Sequence, residues 1–600
     1  MAKLRKEFSS KYKWNTKDLF NSDDECLLEL ELLDKELEKY QNYQNKIMDS
    51  AKNLYELLSF DSDISMRLEK LYIYGHTNHD AETTNVFYQE LFGKIKNLAV
   101  KHAAATAYIV PEILKSEYSL VEKYLKELKD LQKYELTLKH IFRSKEHILS
   151  SEVESALSQY ANVIDSAEDI ASSLTDSDFS YGNITVDGEE VELTDSNYSL
   201  FIRSNDGVVR ASAFTKIHEK YAEFKNTLAN TLRVEVEKNI VNAKLRNYKN
   251  SLEASLFKNE IDSKVYTNLI DSVHNNLEPL YKYFGLKKKI LGLDELHIYD
   301  TYADITKSSK KKYSYEDATK LIKKALEPLG ENYQTLLDKA FNEGWIDWAN
   351  NEGKRGGAYC TACYSVHPYV LMSYEETLED ISTLAHELGH AMHYYYACQN
   401  QSFEDYGYSI FVAEVASQVN EILLSRYLLE NTASKEEKLK IIDDLLQKYK
   451  STIFRQTMFA EFELFMHEYM EQGNVLTHEV MGNKYYELNE LYFGDGVLVD
   501  DLIRHEYLRI PHFYMNYYVY QYATGFTAAV SIANKIYEGK KDVLENYLEF
   551  LKLGCTKNPI DSLKVAGVDM TSGEVFADCL NYMDELVLEY EKLLGSENCE

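Results

Sequence analysis

Six hundred residues suffice for a large buried core and, on length alone, for roughly two to four domains. At 45% hydrophobic and 27% charged residues the composition is that of a soluble globular protein and excludes an extended disordered chain. A net charge of −32 argues against polyanionic partners, since nucleic acid and anionic lipid are bound through clustered Lys and Arg.

Six prolines and 24 glycines leave few helix breakers, and Lys, Glu, Leu and Tyr are abundant, so the expected fold class is mainly α. Met1 to Trp14 carries Lys3, Arg5 and Lys6 without an apolar stretch, which does not read as a signal peptide. From Asp23 to about Leu174 apolar residues recur at three- and four-residue spacing, as in Leu27–Tyr43 and Leu114–Leu138, predicting long amphipathic helices. No fixed internal repeat is evident. Ile184–Thr194 breaks the pattern: apolar and polar residues alternate on both sides of Asp187-Gly188, a hairpin signal. That hairpin is the expected boundary between an N-terminal helical region, 1–195, and a second region, 196–600. Helical patterns resume from Arg210 to Leu291 and are followed by an expected strand at Leu296–Tyr299. Gly353–Tyr374 is a second non-helical island, opened by the glycine-dense loop Gly353–Gly357 and rich in β-branched and aromatic residues. Helix is expected from Leu378 to the end, giving one helix-dominated body with a small sheet near residues 355–375.

The stretch Ile510–Asn534 lacks Asp, Glu, Lys and Arg, but His512, Asn516, Gln521 and five tyrosines make it too polar for a membrane span. The seven cysteines (26, 360, 363, 398, 555, 579 and 599) are thinly spread and suit free thiols in a reducing compartment. Cys360 and Cys363 form a single Cys-x-x-Cys without a second pair. A cytoplasmic location with no membrane and no nucleic-acid partner is expected.

The chemistry is concentrated in Thr383-Leu-Ala-His386-Glu387-Leu-Gly-His390-Ala-Met-His393. Residues four apart share a helix face, so His386 and His390 can converge on one ion with Glu387 beside its water. Zinc lowers that water's pKa and polarises a carbonyl under attack, which points to a zinc-dependent peptidase with Glu387 as general base. A metzincin would need Gly at 393 and His at 396; His393 and Tyr396 exclude it. Between Asp405 and Glu421 the only formal charge is Glu414, in the apolar run Phe411–Gln418. A lone carboxylate there is costly to bury unless paired or metal-bound, which makes Glu414 the expected third ligand, with Glu404 and Glu421 weaker candidates. His393 shares the face but sits about 10 Å along the axis from His386, so a substrate contact or a role behind the ligands is expected of it, with ligation and simple packing as the alternatives. Tyr514, Tyr517 and Tyr520 recur every three residues after His512 and would share a face if helical. They read either as oxyanion donors or as an aromatic core stripe.

With these motifs in order, the sequence resembles the oligoendopeptidase F members of the metallopeptidase family that includes thimet oligopeptidase. The resemblance spans nearly the whole chain, from Trp14–Phe20 to the C-terminal helices. It is sharpest in Gly353–Tyr374, Thr383–His393, Phe411–Gln418 and Ile510–Gly525. It implies hydrolysis of internal bonds in short unstructured peptides, one zinc ion held by His386, His390 and Glu414, and Glu387 as base. His512 with Tyr520 or Tyr514 would stabilise the tetrahedral intermediate, and His393, Tyr517, Tyr359 and His367 would complete the surroundings of metal and substrate. The implied fold is a large helical ellipsoid with a deep channel and a short sheet beside the zinc helix. Val370–Tyr374 is expected on that sheet's edge, where a peptide could add as a strand. The Gly353–Gly357 loop reads as a lid over bound peptide or as a plain surface loop. Two other readings remain: a zinc carboxypeptidase or dipeptidase using Arg355 or Arg509 to capture a terminal carboxylate, and a silent peptide-binding scaffold.

Overall fold

The computed structural model describes residues 3–306 and 311–595, and the fold is mainly α. In chain order, helices α1 (Ala51–Ala81) and α2 (Val86–Thr106) precede a hairpin, β1 (Asn183–Val186) and β2 (Glu189–Glu192). Helices α3 (Lys225–Leu245) and α4 (Ser263–His274) follow, then three short strands, β3 (Ile346–Asp347), β4 (Tyr359–Thr361) and β5 (Tyr369–Leu371). Helices α5 (Leu378–Asn400), α6 (Ile410–Asn431), α7 (Arg455–Glu471) and α8 (Tyr520–Tyr537) carry most of the candidate chemistry. Among the described residues no helix is long and apolar enough to cross a membrane.

Contacts divide the chain into two compact units, each assembled from three segments. One comprises Met1–Ile148, Lys311–Tyr427 and Ile532–Gly567; the other comprises Leu149–Lys310, Leu428–Ser531 and Val568–Glu600. This division follows a different line from a cut at residue 195, because distant stretches of the chain pack together.

In the first unit α1 lies against α2 where Gly75 leaves room: a Cβ there would sit 2.7 Å from Ile95 Cδ1. Trp14 meets the ring of Tyr369 edge-on at 5.9 Å, which ties the N-terminal segment to the sheet. Within that sheet β5 is central, parallel to β3 and antiparallel to β4. The expectation that Val370–Tyr374 forms an edge is therefore corrected. Tyr369, Val370 and Leu371 are fully buried, as a strand paired on both sides and covered on its faces must be, and the more polar β4 takes the edge.

In the second unit the hairpin turns at Asp187 and Gly188, both with positive φ, and pairs Val186 with Glu189. The strand expected at Leu296–Tyr299 is replaced by a 3-10 helix, Ile298–Tyr302, with one isolated bridge between His297 and Leu498. Asp300 explains the difference: its carboxylate accepts the His297 N–H at 3.0 Å and is clamped by the buried Arg210 guanidinium at 2.6 and 3.0 Å. A side chain that caps a turn competes with strand geometry.

Candidate metal centre

Helix α5 starts at a capping box. The Asp380 N–H donates to Thr377 Oγ1 at 3.1 Å, and the Thr377 N–H donates back to Asp380 Oδ2 at 2.8 Å. Its buried stripe, Ile381, Leu384, Ala385, Leu388, Ala391 and Met392, fixes the rotation of the helix, and with it where His386, Glu387 and His390 project. Helix α6 crosses at Gly389, where a Cβ would lie 2.5 Å from both Ala416 O and Ser417 Cα. A buried amide locks that contact: Asn420 Nδ2 donates to Ala385 O at 3.0 Å and Asn420 Oδ1 accepts the Tyr333 hydroxyl at 2.9 Å.

This close crossing brings Glu414 to the two histidines. Glu414 Oε2 lies 3.4 Å from His386 Nε2 and 3.5 Å from His390 Nε2, and the two nitrogens are 3.2 Å apart. A tetrahedral ion with nitrogen and oxygen donors at about 2.0–2.1 Å requires donor separations of about 3.3–3.4 Å. The three edges match that requirement. Among the described residues this is the one group of three or more side chains placed to hold a metal.

The surrounding groups prepare these atoms. His386 Nδ1 faces Glu421 Oε1 at 2.5 Å, so the shared proton sits on that side and Nε2 is left bare. Burial works against a charged His386 ring, but Glu421, with smaller contributions from Glu387 and Glu414, outweighs it and raises the ring's pKa. Burial likewise works against a charged Glu414, yet His390, His386 and the Ser417 hydroxyl, 3.0 Å away, bring its carboxyl down to about 2. Glu387 has the opposite outcome: burial raises its pKa and the two histidines only partly offset this. A carboxylate with a raised pKa is a stronger proton acceptor. Cys360 in β4 is near enough for the Glu387 charge to reinforce the upward push that burial exerts on its thiol.

His393 does not reach this group. Its ring stacks on Tyr408 at 3.7 Å and 6°, with Phe550 at 5.2 Å, and burial presses its pKa down to about 3. His367 is engaged through both nitrogens, at 2.8 Å from Pro368 O and 3.0 Å from Asp18 Oδ2, and its ring stacks on Trp345. The Tyr359 hydroxyl donates to Asp80 at 3.1 Å. Glu404, a weaker ligand candidate, accepts from Ser62 Oγ at 2.6 Å.

His512, Tyr514, Tyr517 and Tyr520 belong to the second unit. The condition for one shared helical face is not met, because the segment is broken. A 3-10 turn, Pro511–Tyr514, leads into Asn516 and Tyr517 at φ 43° and 56°, and α8 begins only at Tyr520. The cause is the buried Glu463, which accepts the Tyr517 N–H at 2.5 Å and holds the left-handed pair. The Tyr514 hydroxyl meets Thr231 Oγ1 at 2.8 Å, the Tyr520 ring lies 5.0 Å from that of Tyr266, and His512 Nε2 is 3.5 Å from the Tyr522 hydroxyl.

Sequence reasoning gave no role to Gly389 or Asn420 and weighed Glu421 only as a ligand. The signal for Glu421 was present: seven residues after Glu414 it lies two turns on along the same face of α6.

Two imidazole nitrogens and a carboxylate around one point, with a second carboxylate on the same helix, are the arrangement that a metallopeptidase centre requires. The sequence matches agree: the family described as Peptidase family M3 matches residues 200–582, and Oligopeptidase F matches residues 112–181. The interval between the two matches contains the hairpin. The chain is 40% identical over 591 residues to oligopeptidase PepF of Bacillus subtilis, covering 98% of this chain and 88% of that protein. It is 35% identical over 596 residues to group B oligopeptidase PepB of Streptococcus agalactiae, covering 99% of each. The crystal structure of oligoendopeptidase-F from Enterococcus faecium superposes with a TM-score of 0.74 at 32% identity, covering 96% of this chain and 99% of that one. The chain belongs to peptidase family M3, and it is a peptide-bond hydrolase.

Proposed function

We propose that His386, His390 and Glu414 hold one zinc ion and that Glu387 is the general base in hydrolysis of internal bonds of short, unstructured peptides. The observation that carries this reading is the match of the 3.2, 3.4 and 3.5 Å donor separations to a tetrahedral edge. The chemistry such an ion supplies is acidification of water and polarisation of the peptide carbonyl. Glu387 accepts the proton of the attacking water and delivers it to the leaving nitrogen, a task its raised pKa favours. Glu421 keeps His386 in the tautomer that offers Nε2. The free edge of β4 offers main-chain donors and acceptors to an extended peptide, in a mode that ignores side-chain identity. His512 and the tyrosines of 514–522 are assigned to substrate contact by resemblance.

Replacing Glu387 by Gln is expected to leave zinc stoichiometric while lowering kcat by about three orders of magnitude or more. Near-normal turnover of E387Q would defeat the assignment. The carboxypeptidase reading loses support because Arg355 Nη1 is bonded to Asp80 at 3.0 Å and Arg509 lies over the Tyr198 ring at 4.6 Å. Cleavage of a peptide blocked at both ends separates the two readings, and loss of that cleavage with a chelator rules out a silent scaffold. The free cysteines among the described residues support a cytoplasmic location.

A further inference from the structure

One buried carboxylate in the first unit belongs to none of the chemistry above. Asp80 lies at the end of α1 and its side chain is 0% exposed. Four donors converge on it. His79 Nδ1 reaches Oδ1 at 2.8 Å, while His76 Nε2, Arg355 Nη1 and the Tyr359 hydroxyl reach Oδ2 at 2.9, 3.0 and 3.1 Å. Burial works against the charge, but His76, His79 and Arg355 together hold the carboxyl well below the usual carboxylate range.

The backbone is fastened at the same place. The Arg355 N–H donates to Asp80 O at 2.9 Å, the Thr83 N–H and hydroxyl donate to Gly353 O at 2.6 and 2.7 Å, and Asn351 Nδ2 donates to Ala81 O at 3.0 Å. Lys354 turns inward from the loop, donating to Asp347 Oδ1 at 2.8 Å and to Met372 O at 2.6 Å. Gly353 takes φ +75°, and a Cβ there would lie 2.8 Å from Thr84 Oγ1. The first half of the glycine-dense loop is thus strapped, Gly353 and Arg355 to the end of α1 and Lys354 to the sheet, which disfavours a lid built on those residues.

What the strap holds is β4. Tyr359 is the first residue of that edge strand, and its ring also stacks on His76 at 5.2 Å and 18°. Immediately after Tyr359, Cys360 feels the charge of Glu387. The outer edge of β4 makes no main-chain hydrogen bond with any described residue. An edge that must accept a peptide as an added strand needs its donors and acceptors fixed before the peptide arrives, because ordering them on binding costs affinity.

We propose that Asp80 is a positioning residue for the peptide: by gripping Arg355 and Tyr359 it sets the height and tilt of β4 and so the affinity for extended substrate. This rests on the reading that β4 is the peptide-binding edge beside the metal centre. An Asn at 80 cannot replace it. The amide carries no charge for the Arg355 guanidinium to bond, and if its NH2 group faces the partners of Oδ2 it opposes the Arg355 and Tyr359 donors.

The test measures kcat and KM separately on the zinc-loaded full chain with an internally quenched peptide, for D80N, Y359F, the double variant and E387Q, with zinc content determined for each. D80N is expected to raise KM about tenfold with kcat within about twofold, because a misplaced β4 weakens ground-state and transition-state binding alike. Trypsin is expected to cut D80N faster after Lys354 or Arg355. Y359F is expected to raise KM by about threefold, and the double variant to be no worse than D80N, since both remove the same grip. A D80N variant that keeps the wild-type KM, or that loses kcat at constant KM, overturns the proposal, because a merely structural role lowers the active fraction and not the affinity. If D80N does not fold, Y359F decides by the same KM criterion. An E387Q variant that still turns over overturns the catalytic reading itself; normal loss in E387Q with unchanged KM in D80N and Y359F overturns only the role of Asp80.

Discussion

Substituting Gly389 by Ala adds one methyl group where α5 and α6 touch. The new Cβ would lie 2.5 Å from Ala416 O and Ser417 Cα and 2.7 Å from Ser417 N, all backbone atoms that no rotamer change can move. Comfortable carbon contacts need about 3.5 Å, so the two helices must part by about 1 Å. Overpacking of this kind costs about 1–3 kcal/mol, more than the ~1 kcal/mol that Ala gains over Gly in helix propensity. The larger consequence is chemical. Glu414 rides on α6 and both histidines ride on α5, so a parting of about 1 Å widens the 3.4 and 3.5 Å separations beyond a tetrahedral edge. Metal affinity is expected to fall by about 10- to 100-fold, and kcat/KM by about 100-fold at limiting zinc. Competition against a chelator of known affinity gives the first number and a quenched-peptide assay the second, with melting temperature recorded alongside. A G389A protein that binds zinc and turns over within twofold of wild type would refute the claim that this crossing positions the ligands.

Other perturbations probe the same centre. E421Q removes the charge behind His386 and is expected to lower zinc affinity by about tenfold or more. In the metal-free protein Glu421 raises the His386 pKa above 6.5, so that stability contribution is present below about 6.5 and lost as pH rises through the folded value. E421Q should lose most of it, and the acid weakening of zinc binding should begin at lower pH in E421Q; identical pH profiles would contradict the pairing. H393F is expected to keep zinc and kcat/KM within about twofold, because Phe preserves the stack on Tyr408 and His393 touches no ligand. Its pKa of about 3 against 6.5 unfolded means the native chain binds fewer protons, so stability drops as pH falls from about 6.5 towards about 3. H393F should therefore unfold at lower pH than wild type in an acid titration followed by circular dichroism, and an unchanged midpoint would refute that cost.

The metal helix was legible in the sequence because its chemistry obeys a local period: His386 and His390 are four apart, and Glu414 stood out as a lone charge in an apolar run. Local signals also announced the hairpin at Asp187-Gly188. What was not legible depends on side chains from distant segments. Glu463 breaks the tyrosine segment by capturing the Tyr517 N–H, and Asp300, clamped by Arg210, turns Leu296–Tyr299 from a strand into a capped helical turn. The order of the small sheet escaped for the same reason: β3, which makes β5 central, is only two residues long and carries no pattern of its own. His393 reads like a neighbour of the site from its spacing, yet Tyr408 and Phe550 decide its surroundings.

Anomalous diffraction at the zinc edge from metal-loaded crystals tests the core assignment most directly. A single peak is expected at about 2.0–2.1 Å from His386 Nε2, His390 Nε2 and a Glu414 oxygen, with Glu421 still bonded to His386 Nδ1. A peak elsewhere, or one bound by the histidines with Glu414 turned away, would contradict the account.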